Sequence, residues 1–374
     1  MTAPICEIKE SAAQSSSLKG FAIHTSADYV VTFLFWAIGY VCGICPAGAI
    51  ERRDARASAV RRLAGKPMTS LRAKFLLAIL RLVNARKAFT DGENFLADAL
   101  EKQTNGPALP GRRLLRKFLI RDEQIAGVRS FVVQPRENAS AHRILYLHGG
   151  AYAWDLISVH WKIIEELIAL TGASVTVPIY PLTPTTGWEA AHDAVRRVYG
   201  HLADKSGADT ITIMGDSAGG GLALAVTMAL RDDARPMPGS LVLFSPWLDV
   251  SLSDPEQRAL APRDPILAPP GLLAAGRAYA NGVSPQDSRV SPLFGSFDGL
   301  PPVAILSGTR DLLNSDARRV ARRAPRVVQM FEYPDMPHVW VGLPIPEAHQ
   351  ALQQAANFVE LNTVTSRRSY PSGT

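Results

Sequence analysis

With 374 residues, 47% of them hydrophobic, the chain has ample apolar material for a large core, which excludes a disordered protein. Its net charge of +6 would suit nucleic acid only if it were spread over the chain, but Glu51 to Thr90 alone hold eleven Lys and Arg against two Asp and Glu, a surplus of nine that leaves −3 for everything else. The basicity is local, so no nucleic-acid partner is expected.

Residues 1–28 are rich in Ser, Ala and Lys without periodicity and suit a mobile tail. Residues 29–50, "YVVTFLFWAIGYVCGICPAGAI", carry no ionisable side chain other than tyrosine and cysteine, and about 20 such residues cross a bilayer as a helix. The stretch begins late and lacks the preceding basic cluster of a cleaved signal peptide. A single membrane-anchor helix is therefore expected, with the membrane as a partner. The run "ERRDARASAVRR" comes next, and the positive-inside rule would leave the rest of the chain cytosolic. Cys6, Cys42 and Cys45 all lie at or before this stretch, so no disulfide can staple the remaining residues.

Residues 51–112 are expected to form basic amphipathic or cap helices. In "LRAKFLLAILRLVNARK", Leu71, Phe75, Leu76, Ile79, Leu80 and Val83 recur at helical spacing, with Arg72, Lys74, Arg81, Arg86 and Lys87 between and after them. Two uses fit this pattern: a helix lying on anionic lipid, or a cap helix whose apolar face covers a pocket.

Residues 113–374 read as one α/β domain. "RKFLIRD" and "GVRSFVVQP" suggest an opening hairpin. "RILYLHGG", "ASVTVPIY", "DTITIMGDS", "SLVLFSPW", "PVAILSG" and "RVVQMFEYP" then read as strands alternating with helical segments. Near-continuous Val, Ile and Leu implies a mostly parallel central sheet with helices on both faces. The Pro-rich, helical passage of residues 251–286 lies between two strands and reads as a cap insertion.

Chemistry gathers at the strand ends. In "YLHGGAYAW", Gly149 and Gly150 present backbone N–H groups with little hindrance. Together with the N–H of Ala218 they are expected to stabilise an oxyanion. "GDSAGG" comes after a strand and opens the small-residue helix "GGGLALAVTMAL"; Gly215 and Gly219 bracket Ser217 in the G-x-S-x-G spacing of a nucleophile elbow, where a tight turn pushes the hydroxyl out above the sheet. A serine hydroxyl needs a base, and the base a carboxylate to orient it. "ILSGTRDLLNSD" offers Asp311 at a strand end, with Asp316 one helical turn on and read as a solvated helix residue. "MFEYPDMPHVW" offers His338. His160, His192, His201 and His349 read as packing or surface histidines, and His148 as a turn residue. No histidine has metal-ligand spacing with a neighbouring Cys, Asp or Glu, so neither a metal nor another cofactor is expected.

"HGGAY", "GDSAGG", "GTRDLL" and "MPHVW" together resemble the oxyanion loop, elbow, acid turn and histidine turn of the hormone-sensitive lipase-like α/β-hydrolases, a family that includes bacterial carboxylesterases and membrane-bound deacetylases. "YPLTPTTGWEAAHDAV" is similar to the family's segment between the first two motifs, and "DPIL" and "SPLFG" to motifs flanking its cap and acid loop. The resemblance implies an α/β-hydrolase fold with a helical cap, and a Ser217, His338, Asp311 triad cleaving small to medium, rather apolar acyl esters, acetyl-type above all. Arylformamidase-like amide hydrolases and non-catalytic ligand-binding proteins share much of this pattern. Three departures stand out: Ala151 replaces a third glycine, Pro181 and Thr185 replace an Arg and Glu, and Val339 comes after the histidine where Gly is common. Ala151, Tyr152, Trp154 and Trp188 are candidate pocket-lining residues. The membrane-bound deacetylases it resembles face the lumen of the endoplasmic reticulum, opposite to the charge rule, and the sequon at Asn138 would report that side.

Overall fold

The computed structural model describes residues 69–368, with side chains up to residue 362. The expected tail and anchor lie outside the described residues, within which no helix is long and apolar enough to cross a membrane.

The chain enters through α1 (Leu71–Leu82), a 3-10 turn at Ala85–Phe89, α2 (Phe95–Gln103) and α3 (Arg112–Lys117). Strands β1 (Phe118–Ile125) and β2 (Val128–Pro135) then pair in antiparallel fashion around Ala126 and Gly127. Both turn residues have positive φ, 48° and 77°, which matches the twist of a two-residue hairpin. Beyond them β3 (Arg143–Leu147), α4 (Ser158–Thr171), β4 (Ser174–Pro178), α5 (Trp188–Ser206), β5 (Ile211–Asp216), α6 (Ser217–Asp232) and β6 (Ser240–Phe244) alternate. Helices α7 (Pro255–Leu260) and α8 (Pro269–Ala280) interrupt the alternation, which resumes with β7 (Val303–Gly308), α9 (Asn314–Arg323), β8 (Val328–Tyr333) and α10 (Pro346–Arg368).

The eight strands form one sheet in the order β1-β2-β4-β3-β5-β6-β7-β8. Pairing is parallel from β4 to β8 and antiparallel on either side of β2. Every residue of β4, β5, β6 and β7 is buried, so helices cover both faces there. That coverage is why their sequences read as unbroken apolar runs rather than as alternation. The edge strand β1 is instead largely open to solvent between its buried ends, and it carries Arg121, Asp122 and Glu123, charges that discourage further pairing. Because β3, β5, β7 and β8 run parallel, the loops after them emerge at one edge of the sheet, and the oxyanion-loop, elbow, acid and histidine motifs, up to 190 residues of chain apart, meet there.

Candidate active site

The turn between β5 and α6 forces Ser217 into left-handed backbone geometry, φ 52°. A non-glycine residue holds such a conformation only where its surroundings overdetermine it. They do so through close approach: a Cβ at Gly215 would lie 2.5 Å from the Gly219 carbonyl, and one at Gly219 would run into the carbonyls of Leu147 and His148. Those two glycines let helix α6 start directly against the end of β3. The Ala218 N–H, in the first turn of the helix, belongs to the donors that have no partner within it.

His338 reaches this point from the loop after β8. Its Nε2 lies 2.9 Å from Ser217 Oγ, and its Nδ1 lies 3.0 Å from Asp311 Oδ2, after β7. The Asp311 carboxylate accepts, so Nδ1 carries the proton and Nε2 is left to accept from the serine hydroxyl. Asp311 is held in turn by the Leu313 N–H on Oδ1 at 2.8 Å. All three side chains are buried. The residue after the histidine, Val339, takes φ 48° and donates its N–H to Ser245 Oγ, which explains why a glycine suits this position and places a strained β-branched residue beside the base.

Burial pushes His338 down, but the charge and hydrogen bond of Asp311, with the charges of Asp264 and Asp216, more than offset it and hold the imidazole above its ordinary value. Asp264, from the 251–286 insertion, accepts the Ile266 and Leu267 N–H groups on one oxygen and the Leu312 N–H on the other, at 2.8 to 2.9 Å. It thereby braces the turn that carries Asp311. Its own carboxyl is pushed up to about 6 by burial and by the charge of Asp311.

The oxyanion loop is built differently from expectation at one residue. The Gly149 N–H points into Asp216, reaching Oδ1 at 3.0 Å, because a buried carboxylate must be satisfied and Gly149 is within its reach. Gly149 is therefore removed from the expected donor set. Among the described residues the N–H groups of Gly150 and Ala151 have no backbone partner. Ala151 (φ 53°) and Tyr152 (φ 59°) turn the chain sharply here. Asp216 Oδ1 also accepts from Tyr146 Oη at 2.7 Å, and its Oδ2 faces His160 Nε2 at 3.4 Å. His160 Nδ1 accepts the Ile157 N–H, so its proton sits on Nε2, toward Asp216. Burial raises the Asp216 carboxyl, and His160, Tyr146 and Gly149 outweigh that penalty, leaving it below the usual carboxylate range. From sequence His160 reads only as a packing or surface residue, and its partner 56 residues away is not legible there.

The candidate pocket aromatics separate. Tyr152 stacks on Tyr279 of α8, ring centroids 3.5 Å apart, and on Trp247, whose backbone N–H donates to the Ser217 carbonyl at 2.8 Å. Trp154 instead packs between Phe89 and Phe95, with ring centroids 4.9 and 5.2 Å away. Trp188 sits edge-on to His192 beneath the Arg289 guanidinium. For these two the contacts are those of core packing. Asp316, expected as a solvated helix residue, is instead buried, bound by Gln257 Nε2 at 2.7 Å and by Arg319 at 2.8 Å. Among the described residues no group of three His, Cys, Asp or Glu side chains could hold a metal ion.

A serine hydroxyl, an imidazole and a carboxylate in hydrogen-bonded sequence, beside unpaired amides at a helix start, can activate an oxygen nucleophile and stabilise an alkoxide. A family model for the alpha/beta hydrolase fold matches residues 144–342. An esterase of Acinetobacter venetianus is 32% identical over 246 residues, 64% of this chain and 81% of that protein. An acetyl-hydrolase of Streptomyces hygroscopicus is 34% identical over 226 residues, 59% of this chain and 76% of that one. The crystal structure of a hormone-sensitive lipase from a metagenome library is similar at 28% identity and a TM-score of 0.69, covering 79% of this chain and 100% of that chain.

Proposed function

Since the chain belongs to the alpha/beta hydrolase fold family, among the hormone-sensitive lipase-like members, and is a carboxylic ester hydrolase, we propose that it cleaves small to medium apolar acyl esters, acetyl-type esters above all, through a Ser217 acyl-enzyme. Ser217 Oγ attacks the acyl carbon while His338 Nε2 takes its proton. The imidazolium then protonates the departing alkoxide, and the alcohol leaves. In the second half His338 takes a proton from water, the hydroxide attacks the acyl carbon, and collapse releases the acid as Ser217 recovers its proton. Asp311 holds the Nδ1–H tautomer throughout. The amides of Gly150, Ala151 and Ala218 receive the oxyanion, each worth about a hundredfold or more in rate. No cofactor enters these steps.

The observation that carries the proposal is the continuous pair of bonds, 3.0 Å from Asp311 to His338 and 2.9 Å from His338 to Ser217. A fluorophosphonate probe tests it: the native chain should be labelled and Ser217→Ala should not. An unlabelled native chain would favour a ligand-binding protein on a hydrolase fold, and faster turnover of an aryl formamide than of an aryl acetate would favour an amide hydrolase. The names of an esterase and an acetyl-hydrolase among the relatives support the ester and short-acyl reading.

We further assign the described part of residues 51–112, which begins at residue 69, together with residues 251–286, to a cap over the site. The N-terminal segment closes on the oxyanion loop, where Phe89 and Phe95 embrace Trp154 and Gln103 Nε2 donates to the Ala153 and Thr183 carbonyls at 2.7 and 2.9 Å. For residues 29–50 we keep the reading of a single-pass anchor, with the catalytic domain cytosolic by the charge rule. Asn138 lies exposed before β3, so an endoglycosidase-sensitive mass shift in the secretory pathway would reverse that topology.

A further inference from the structure

Helix α1 has two apolar faces, and among the described residues only one of them is covered. At about 100° per residue, Ala73, Leu76, Leu77 and Leu80 fall together and are buried. They pack toward α10 and the Ala85–Phe89 turn. The helix is also fixed in rotation at its start, where Ser70 Oγ accepts the Ala73 N–H at 3.1 Å while the Ser70 N–H and hydroxyl donate to Glu347 at 2.7 and 3.0 Å. On the opposite side Leu71, Phe75 and Leu82 form one row with Ala78, and they remain 83%, 66% and 86% exposed. Single exposed leucines are ordinary; three large apolar side chains in one row, on a helix already seated by its other face, mark an interaction surface.

The borders of that row identify what it meets. Arg72 lies along one side, Lys74 and Arg81 along the other, and the helix contains no Asp or Glu. An apolar stripe with long cationic side chains on both flanks matches the boundary between acyl chains and phosphates, into which the stripe sinks while the cations bend outward. A second copy of the chain would set these three cations against three more across a two-fold axis. The preceding sequence adds six Lys and Arg against two Asp and Glu between residues 51 and 68, and the apolar run of residues 29–50 ends only twenty residues before Leu71.

We propose that the outer face of α1 docks the folded domain on an anionic lipid surface, with Leu71, Phe75 and Leu82 entering the headgroup boundary and Arg72, Lys74 and Arg81 meeting lipid phosphates. The surface is distinct from the hydrolytic site and does not depend on how residues 29–50 attach.

The test uses the full chain with Cys6, Cys42 and Cys45 replaced by Ser and an environment-sensitive fluorophore on Phe75→Cys, ester hydrolysis serving as the check on folding. With phosphatidylcholine vesicles containing phosphatidylserine the fluorophore should shift to the blue and be quenched by nitroxide-labelled acyl chains. The shift should weaken on pure phosphatidylcholine or in high salt. Neutralising Arg72, Lys74 or Arg81 to Gln should weaken partitioning about fivefold per cation. A fluorophore that stays in water while the chain pellets with vesicles overturns the proposal, as does a chain that never pellets. So does a shift that is equal on both lipids, and so does one that appears without lipid as protein concentration rises, the mark of a second copy covering the face.

Discussion

The buried carboxylate of Asp216 accepts the Gly149 N–H at 3.0 Å and the Tyr146 hydroxyl at 2.7 Å, so the residue before Ser217 ties the elbow to the loop after β3. The two amides after Gly149 take their direction from that bond. Tyr146→Phe removes one hydrogen bond to a charged group and should cost about 1.5 to 3 kcal/mol of stability, leaving Gly149 anchored and activity largely intact. Asp216→Asn is more severe. An amide offers one acceptor oxygen where the carboxylate offers two, so its NH₂ must face either the Gly149 and Tyr146 donors or the Nε2–H of His160. Breaking a buried, paired charge of this kind costs about 3 to 5 kcal/mol. The variant should lose kcat/KM on an aryl acetate by about tenfold or more, on the order of the loss of part of one oxyanion donor. Calorimetry and steady-state kinetics read the two effects separately; native kcat/KM in Asp216→Asn would show that this bond does not position the loop.

The acid limb of the pH profile should lie above 6.5, the ordinary histidine value, because Asp311, with Asp264 and Asp216, raises His338 against the opposing pull of burial. A base must be neutral, so kcat/KM climbs as pH rises through the raised value. Stability moves the other way. A group whose folded-state pKa is raised contributes its full stabilisation below the unfolded value and loses it as pH passes the folded one. Asp264→Asn deletes one of the charges that raise His338, and the acid limb should move to lower pH. Its single amide oxygen also leaves either the Leu312 N–H or the Ile266 and Leu267 N–H groups unanswered, for about 1 to 3 kcal/mol of stability. An unmoved limb in a variant that still folds would remove Asp264 from the electrostatics of the site.

The strands along the chain and their mostly parallel pairing, the tight turn around Ser217 and the meeting of Asp311 with His338 were legible because each rests on a local rule: apolar runs bounded by turns, glycines where backbones touch, polar residues at the carboxyl ends of parallel strands. What sequence could not convey depends on directions set by remote partners. The Gly149 N–H turns away from the expected oxyanion position because a carboxylate 67 residues along the chain takes it. Asp316 sits at helical spacing from Asp311 and resembles a solvated residue until Gln257, from the 251–286 insertion, closes over it. His160 shows the same limit, since its place on a helical segment does not name Asp216. Helix α1 read as one apolar face with two possible uses, whereas the structure splits that set, burying Leu76 and Leu80 and leaving Leu71 and Phe75 exposed.

Trp154 fastens the N-terminal segment near the oxyanion loop. The indole lies against Phe89 and Phe95, the Lys102 ammonium sits 4.5 Å above its ring, and Gln103 reaches past it to the Ala153 carbonyl. Three of these contacts, from Phe89, Phe95 and Lys102, therefore converge on one side chain, three residues from Ala151, while Gln103 holds the backbone beside it. Truncating a fully buried aromatic costs about 3 to 5 kcal/mol, and the half-buried Trp154 should cost less than that; the sheet and the Ser217–His338–Asp311 contacts do not use this ring. Trp154→Ala should accordingly loosen residues 71–103 before it unfolds the domain. Limited proteolysis should cut within that segment at protease levels that leave the native chain intact, and KM for an apolar ester should rise more than kcat falls. Phe89→Ala should reproduce the pattern from the other side of the contact, and the double variant should cost less than the sum of the two, since each removes the same interaction. Additive losses would mean that the two rings are held independently and that Trp154 does not fasten the segment.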